Sequence, residues 1–200
     1  KVIEAIRLMT SQQIDLNDLK LGFFDVKDEK NKLATAQQII LKIKHLETTK
    51  RQKIADLIAS RVNNMPTGLM LTDSQLVKLH QSGMEIGGHT VSHPIMSKLD
   101  DETLKKELYD NKIYLERLLN TTIRFFAYPN GKPNIDYKLT QIEQVKKLQY
   151  QAAVSTEWGV TDKTSDFFQL QRFTPWDKDP VRFMLRIVLN YFRRNYKLKV

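Results

Sequence analysis

His89 and His93 stand four residues apart in the run His89-Thr90-Val91-Ser92-His93-Pro94. Imidazole nitrogen is a first-choice ligand for zinc and also suits cobalt, nickel or iron, so two histidines on one turn can share a divalent metal. On a regular helix this spacing is often just a surface pair. Here Pro94 disfavours helical backbone at His93, and Gly87-Gly88 makes an ordinary helix start unfavourable. The pair is therefore expected on a tight turn, either as metal ligands or as side chains bonded to loop backbone. Tyr128-Pro129-Asn130-Gly131 is a second turn of unusual composition. Trp158 and Trp176 flank Gly159 and Pro175, and read as platforms for stacking a sugar ring or as covers over a core edge. His45 and His80 fall within helical patterns and read as structural.

Both turns need a scaffold that delivers them to one place. Thr72 with Gln75 forms a capping box for a helix that Gly83 closes, and residues 84–88 then read as a short apolar strand running into His89. Asp100 caps a helix reaching Asn120, with Leu104, Leu108, Leu115 and Leu118 on its apolar face. Residues 123–127 form a second strand. A helix over 137–148 follows, with Leu139, Ile142, Val145 and Leu148 inward, and then a third strand over 152–155. Asp179-Pro180 opens a last helix with Phe183, Met184, Ile187, Val188 and Tyr191 inward. Strands alternating with helices at this spacing predict parallel pairing with helical crossovers, and in such folds chemistry sits at the carboxyl ends of the strands. Both unusual turns fall there. Residues 1–62 read as mostly helical, broken over 14–25 where Leu19, Leu21 and Phe23 alternate. The chain thus divides into a helical insertion or cap, 1–65, and an α/β portion, 66–200.

Composition narrows the class. With 200 residues, 41% of them hydrophobic and 28% charged, the chain can bury a substantial core. It holds no apolar run of the ~20 residues a membrane span needs. The absence of cysteine excludes disulfides and thiolate zinc sites. The net charge of +9 is concentrated at the end, where Arg182, Arg186, Arg193, Arg194, Lys197 and Lys199 follow Pro180 with no acidic residue among them. These cations suit either the C-terminal dipole of their own helix or an anionic polymer or lipid. No recognised nucleic-acid motif accompanies them, so a specific nucleic-acid partner is not expected. The first helix begins at Val2 with no capping side chain before it, which is expected where a chain continues upstream.

The run from Gly83 to Pro94 resembles the second motif of the polysaccharide deacetylases, the NodB-type enzymes of carbohydrate esterase family four. Phe126-Ala127-Tyr128-Pro129-Asn130-Gly131 resembles their third motif. Residues 152–160, including Trp158, and Leu170-Gln171-Arg172-Phe173-Thr174-Pro175 are similar to later segments, in the same order. The likeness spans roughly residues 66–190. It implies a distorted (β/α) barrel, incomplete at the N-terminal side, and metal-assisted hydrolysis of N-acetyl groups on a polysaccharide. By that resemblance the cofactor is a divalent metal, zinc first, and His89 and His93 match the two histidines of an Asp-His-His ligand set. The backbone amide of Asn130 matches the oxyanion donor, and Tyr128, Pro129 and Trp158 the sugar-binding surface.

This chain departs from that pattern in three places. The opening Thr-Phe-Asp-Asp-Gly segment, which supplies the general base and the metal-binding Asp, does not occur. The arginine of the third motif falls on Ala127, leaving Arg172 as the candidate for orienting the base. The late Leu-x-x-His motif is also missing, so the general acid has no assignment. The expectation is a deacetylase whose missing carboxylates lie upstream, or alternatively a non-catalytic carbohydrate-binding homologue in envelope polysaccharide biosynthesis. Family habit favours the cell surface or periplasm. The polymer and the oligomeric state are not readable from these residues.

Overall fold

The computed structural model describes residues 1–173 and 176–192. Thr174 and Pro175, from the segment opening at Leu170, lie outside the described residues, as do the cations Arg193, Arg194, Lys197 and Lys199. The chain separates into two compact units, Lys1–Thr72 and Asp73–Val200.

In the first unit, helix α1 (Val2–Leu8) is followed by an antiparallel pair, β1 (Gln13–Asp15) and β2 (Phe23–Asp25), and by helices α2 (Glu29–Ile43) and α3 (Thr48–Ala59). The alternation read over 14–25 is this hairpin. Helix α2 starts where the Asp28 carboxylate accepts the Asn31 N–H at 2.8 Å, which satisfies one of the orphan amides of its first turn. Ala5 and Ile6 of α1, Leu16, Val26, Ile39 of α2 and Ile58 of α3 close the core, each essentially fully buried.

The second unit begins with α4 (Asp73–Gln81). Gly83, at φ +87°, ends it in a Schellman turn: the Gly83 N–H donates to His80 O and the Met84 N–H to Leu79 O. Helix α5 (Asp101–Leu119) starts as the sequence predicts, with the Asp100 carboxylate accepting the Thr103 N–H at 2.8 Å. It ends on Asn120 in the left-handed conformation. Leu104, Leu108, Leu115 and Leu119 are buried on one face, each contributing about 2 kcal/mol of apolar burial. Strand β3 (Phe125–Ala127), helix α6 (Leu139–Lys147), strand β4 (Ala152–Val154) and helix α7 (Pro180–Tyr191) follow. Ile142 and Val145 of α6 are buried, whereas Leu139, expected inward, is exposed at the first turn of the helix.

β3 pairs in parallel with β4, setting Phe126 opposite Ala153. Two single parallel bridges extend this pair, Gly88 to Phe126 on one side and Leu170 to Val154 on the other. Four chain segments therefore lie side by side in sequence order; the first three, with α5 and α6 as crossovers, follow the predicted alternation, and the fourth, at Leu170, adds to it. The strand expected over 84–88 contracts to its last residue, Gly88. The described residues form an open parallel run; its strands are three residues each and close no ring.

Helix α7 overturns one expectation. It starts as read, with Asp179 accepting the Arg182 N–H at 2.9 Å and Pro180 in the first turn. Met184, Val188 and Tyr191, expected inward, are exposed. Phe183 and Ile187, also expected inward, are half-buried, and they share the inner side with polar groups: the Arg186 guanidinium pairs with Asp177, and buried Asn190 donates its amide to Gly159 O at 3.3 Å.

Candidate active site

The parallel run ends in two loops. Gly88 is held between backbone partners, its N–H donating to Phe125 O at 2.8 Å and its carbonyl accepting the Ala127 N–H at 2.9 Å. A Cβ there would lie 2.3 Å from the Tyr150 hydroxyl and 3.1 Å from Asn111 Oδ1, so only glycine lets the strand end this close to its neighbours. The next residue is His89. Its backbone N–H donates to Asn111 Oδ1 at 3.0 Å, and its ring Nδ1 lies 2.6 Å from the carbonyl oxygen of Ala127. A carbonyl only accepts, so Nδ1 carries the proton and Nε2 keeps its lone pair.

The turn then brings His93 beside it. The two imidazole rings meet edge to face with centroids 4.8 Å apart, and both side chains are exposed. Getting there takes two left-handed residues, Thr90 at φ +61° and His93 at φ +55°. A β-branched residue in that region is a genuine outlier, costing roughly 1–2 kcal/mol. Local bonds offset part of that strain. The Thr90 hydroxyl donates to His89 O at 2.6 Å and accepts the His93 N–H at 3.2 Å. Buried Pro94, Ile95 and Met96 then anchor the exit from the loop.

Glu107, from α5, reaches across to the same turn. One carboxylate oxygen accepts the N–H groups of Val91 and Ser92 at 2.8 and 2.9 Å, and the other accepts the Ser92 hydroxyl at 2.6 Å. Neither Glu107 nor Asn111 belongs to a motif in the sequence. Their one visible signal is the i, i+4 spacing, which puts both on the same side of α5.

The second loop carries Asn130 at φ +59° and Gly131 at φ +74°. Thr156, after β4, clasps both: its hydroxyl donates to Asn130 O at 2.7 Å and its N–H to Gly131 O at 2.8 Å. A Cβ on Gly131 would sit 2.8 Å from Thr156 Cγ2, 2.9 Å from Thr156 N and 3.1 Å from Tyr128 O, so a side chain and two backbone groups close on this position. Among the described residues the Asn130 N–H meets no acceptor.

The remaining candidates are more dispersed. Tyr128 is a core residue in this structure, 1% exposed, stacked on Tyr137 at 3.8 Å and donating its hydroxyl to Phe168 O at 3.0 Å. Burial, with the neighbouring Tyr137 a lesser cause, pushes its phenol far above the usual tyrosine range. Pro129 is also buried. Trp158 is partly exposed and meets Phe173 edge-on at 6.1 Å. Arg172 is exposed and tied through its backbone, its N–H donating to Glu157 O at 3.0 Å. The structure thus brings His89 and His93 together and links His89, through Ala127, to the strand that leads into the Asn130 loop. Among the described residues no group of three or more His, Cys, Asp or Glu side chains gathers where it could hold a metal ion. Nor is any described helix long and apolar enough to cross a membrane.

A family model described as polysaccharide deacetylase matches residues 35–153 of the chain. That is more than half its length, and the chain belongs to the polysaccharide deacetylase family. The match opens inside α2 and so reaches further back than the motifs alone. YxkH of Bacillus subtilis strain 168, which carries the name of a polysaccharide deacetylase, is 26% identical over 102 residues, covering 51% of this chain and 35% of its own. The deacetylase PplD of Streptococcus pyogenes, solved in complex with acetate, is 29% identical, with a TM-score of 0.50 over 55% of this chain and 46% of its own. A polysaccharide deacetylase from Bacillus cereus gives 18% identity and a TM-score of 0.45 over 62% of this chain and 43% of its own. The chain spans about a third of the length of YxkH and under half of PplD.

Proposed function

We propose that the two loops are part of a metal-dependent deacetylase site acting on an N-acetylated polysaccharide, and that the parallel run is one arc of a distorted (β/α) barrel. The observation that carries this reading is the His89–His93 pair, 4.8 Å apart, with the His89 tautomer set by Ala127 O. Two imidazoles so placed fit a single divalent ion, zinc first, through His89 Nε2 and the His93 ring, and leave the other positions of a tetrahedral ion to further donors. A bound ion of this kind polarises an acyl carbonyl and makes hydroxide available near neutral pH.

The chain's own part is to hold and orient. His89 is kept in one tautomer by its hydrogen bond to Ala127 O. The Asn130 N–H lies in a loop locked by Thr156, and is the candidate donor for the oxygen that gains charge as water adds to the acetyl carbon. The reaction breaks the carbon–nitrogen bond, releasing acetate and leaving the sugar amine with the proton. Acetate is the molecule bound in PplD. Trp158 and Pro129 are the candidates for the sugar-binding wall, and Arg172 for orienting a base.

Titration of the chain with Zn²⁺ tests the reading. One ion per chain is expected, lost in both His89→Ala and His93→Ala; unchanged affinity in the two variants overturns it. A second reading is a carbohydrate binder without hydrolysis. Chelator separates the two, since acetate release would stop in its presence whereas glycan affinity alone would survive.

A further inference from the structure

The histidine turn is built in an unfavourable backbone conformation, and one side chain from elsewhere in the fold supplies most of what holds it. Thr90 and His93 are both left-handed, and between them the N–H groups of Val91 and Ser92 point the same way. Successive amides aimed at one point form a small anion-binding concavity. Glu107 fills it with one carboxylate oxygen and takes the Ser92 hydroxyl with the other. Bonds to a carboxylate are stronger than neutral ones, and all three land on the two residues separating the histidine turn's left-handed positions. One turn further along α5, Asn111 Oδ1 accepts the His89 N–H at 3.0 Å. A single helix face thus grips the turn at both sides of Thr90.

We propose that Glu107, seconded by Asn111, is the positioning residue of the site: it fixes the backbone from His89 to His93 so that the two imidazoles converge on one ion. The proposal rests on the metal-binding reading above. Glu107 touches neither substrate nor metal; it acts through Val91 and Ser92. Residues that orient ligands in this way commonly change metal affinity by 10–100-fold when altered.

The test uses the chain with and without Zn²⁺. Amide hydrogen exchange at Val91 and Ser92 is read in the metal-free protein, and Zn²⁺ affinity by competition with a chromogenic chelator. Glu107 is half-buried on a helix surface and alanine is a good helix former, so Glu107→Ala is expected to fold. It should speed exchange at both amides and weaken Zn²⁺ at least tenfold. Glu107→Gln keeps one acceptor oxygen and should recover part of both losses. Glu107→Asp keeps the charge but falls short of the turn, and should not. Asp100→Ala loosens the same helix without touching the turn, and should leave exchange and affinity unchanged while lowering the melting temperature. Unaltered exchange and affinity in Glu107→Ala, or equal effects in Asp100→Ala, would overturn the proposal. If the wild-type chain takes up no Zn²⁺, the metal reading falls, and the exchange data alone decide whether Glu107 holds the turn.

Discussion

The Nδ1 atom of His89 lies 2.6 Å from the backbone carbonyl of Ala127, so the residue that opens the first loop is read by the strand that leads into the second. This bond passes between neighbouring parallel segments, and it decides which nitrogen faces outward. In the metal-free chain, nitrogen-15 shifts of the neutral His89 ring should show the proton on Nδ1 and none on Nε2. A proton resident on Nε2 would contradict the geometry.

Gly88 and Gly131 should be intolerant of alanine for different reasons. At Gly88 the obstacle is the Tyr150 hydroxyl, 2.3 Å from the new Cβ, and its removal is feasible. Gly88→Ala should cost about 1–3 kcal/mol by overpacking, and Tyr150→Phe in that background should return part of it. At Gly131 the obstacles are the Thr156 methyl, two backbone atoms and a φ of +74°, so Gly131→Ala should cost about 2 kcal/mol or more, and trimming Thr156 alone should not rescue it. Urea midpoints of the four proteins decide both points.

Acid should unfold the second unit partly through Glu116. Burial raises its pKa, but the hydrogen bonds from Lys112 and the Ile123 N–H and the charge of Lys112 outweigh it, leaving the carboxyl below the usual range. Lys112 is itself buried, 2.9 Å from Glu116 and donating to Ile123 O at 2.7 Å. A depressed folded pKa means that this contribution is complete above the unfolded value, about 4.5, and is lost as pH falls through the folded one. Melting temperature should therefore fall below about pH 4.5, and Glu116→Gln should flatten that slope. An identical slope in the variant would remove Glu116 from the account.

The N-cap of α5 offers a simpler check. Asp100 accepts both the Thr103 N–H and the Thr103 hydroxyl, so Asp100→Ala should cost about 1 kcal/mol, and Asp100→Asn a fraction of that. Thermal melts of the two variants give the comparison.

Local signals carried much of this fold into the sequence. Asp100 and Asn120 bracket α5 because capping is decided within a few residues, and the parallel order of Gly88, β3 and β4 follows from the alternation of short apolar runs with helices, whereas the added bridge at Leu170 has no such signal. Two kinds of feature were hidden. Glu107 and Asn111 meet residues 15 to 22 positions earlier, a contact no periodicity encodes, and they look like any polar helix face. Tyr128 belongs to a motif whose neighbours face a loop, yet its ring stacks on Tyr137 in the core. The histidine pair was legible because Gly88 and Pro94 leave few conformations between them.

Helix α7 has been described by what sits beneath it, but its upper side matters for handling the protein. Val181, Met184, Leu185, Val188, Leu189, Tyr191 and Phe192 all stand open to solvent, while Arg186 and Asn190 are turned inward. So much apolar surface left open along one helix makes the second unit sticky. Sulfate, which strengthens apolar association, should salt the chain out early, and the losses should worsen on warming rather than on cooling. A single charge on that ridge, as in Val188→Glu, should do more for yield than any stabilisation of the core.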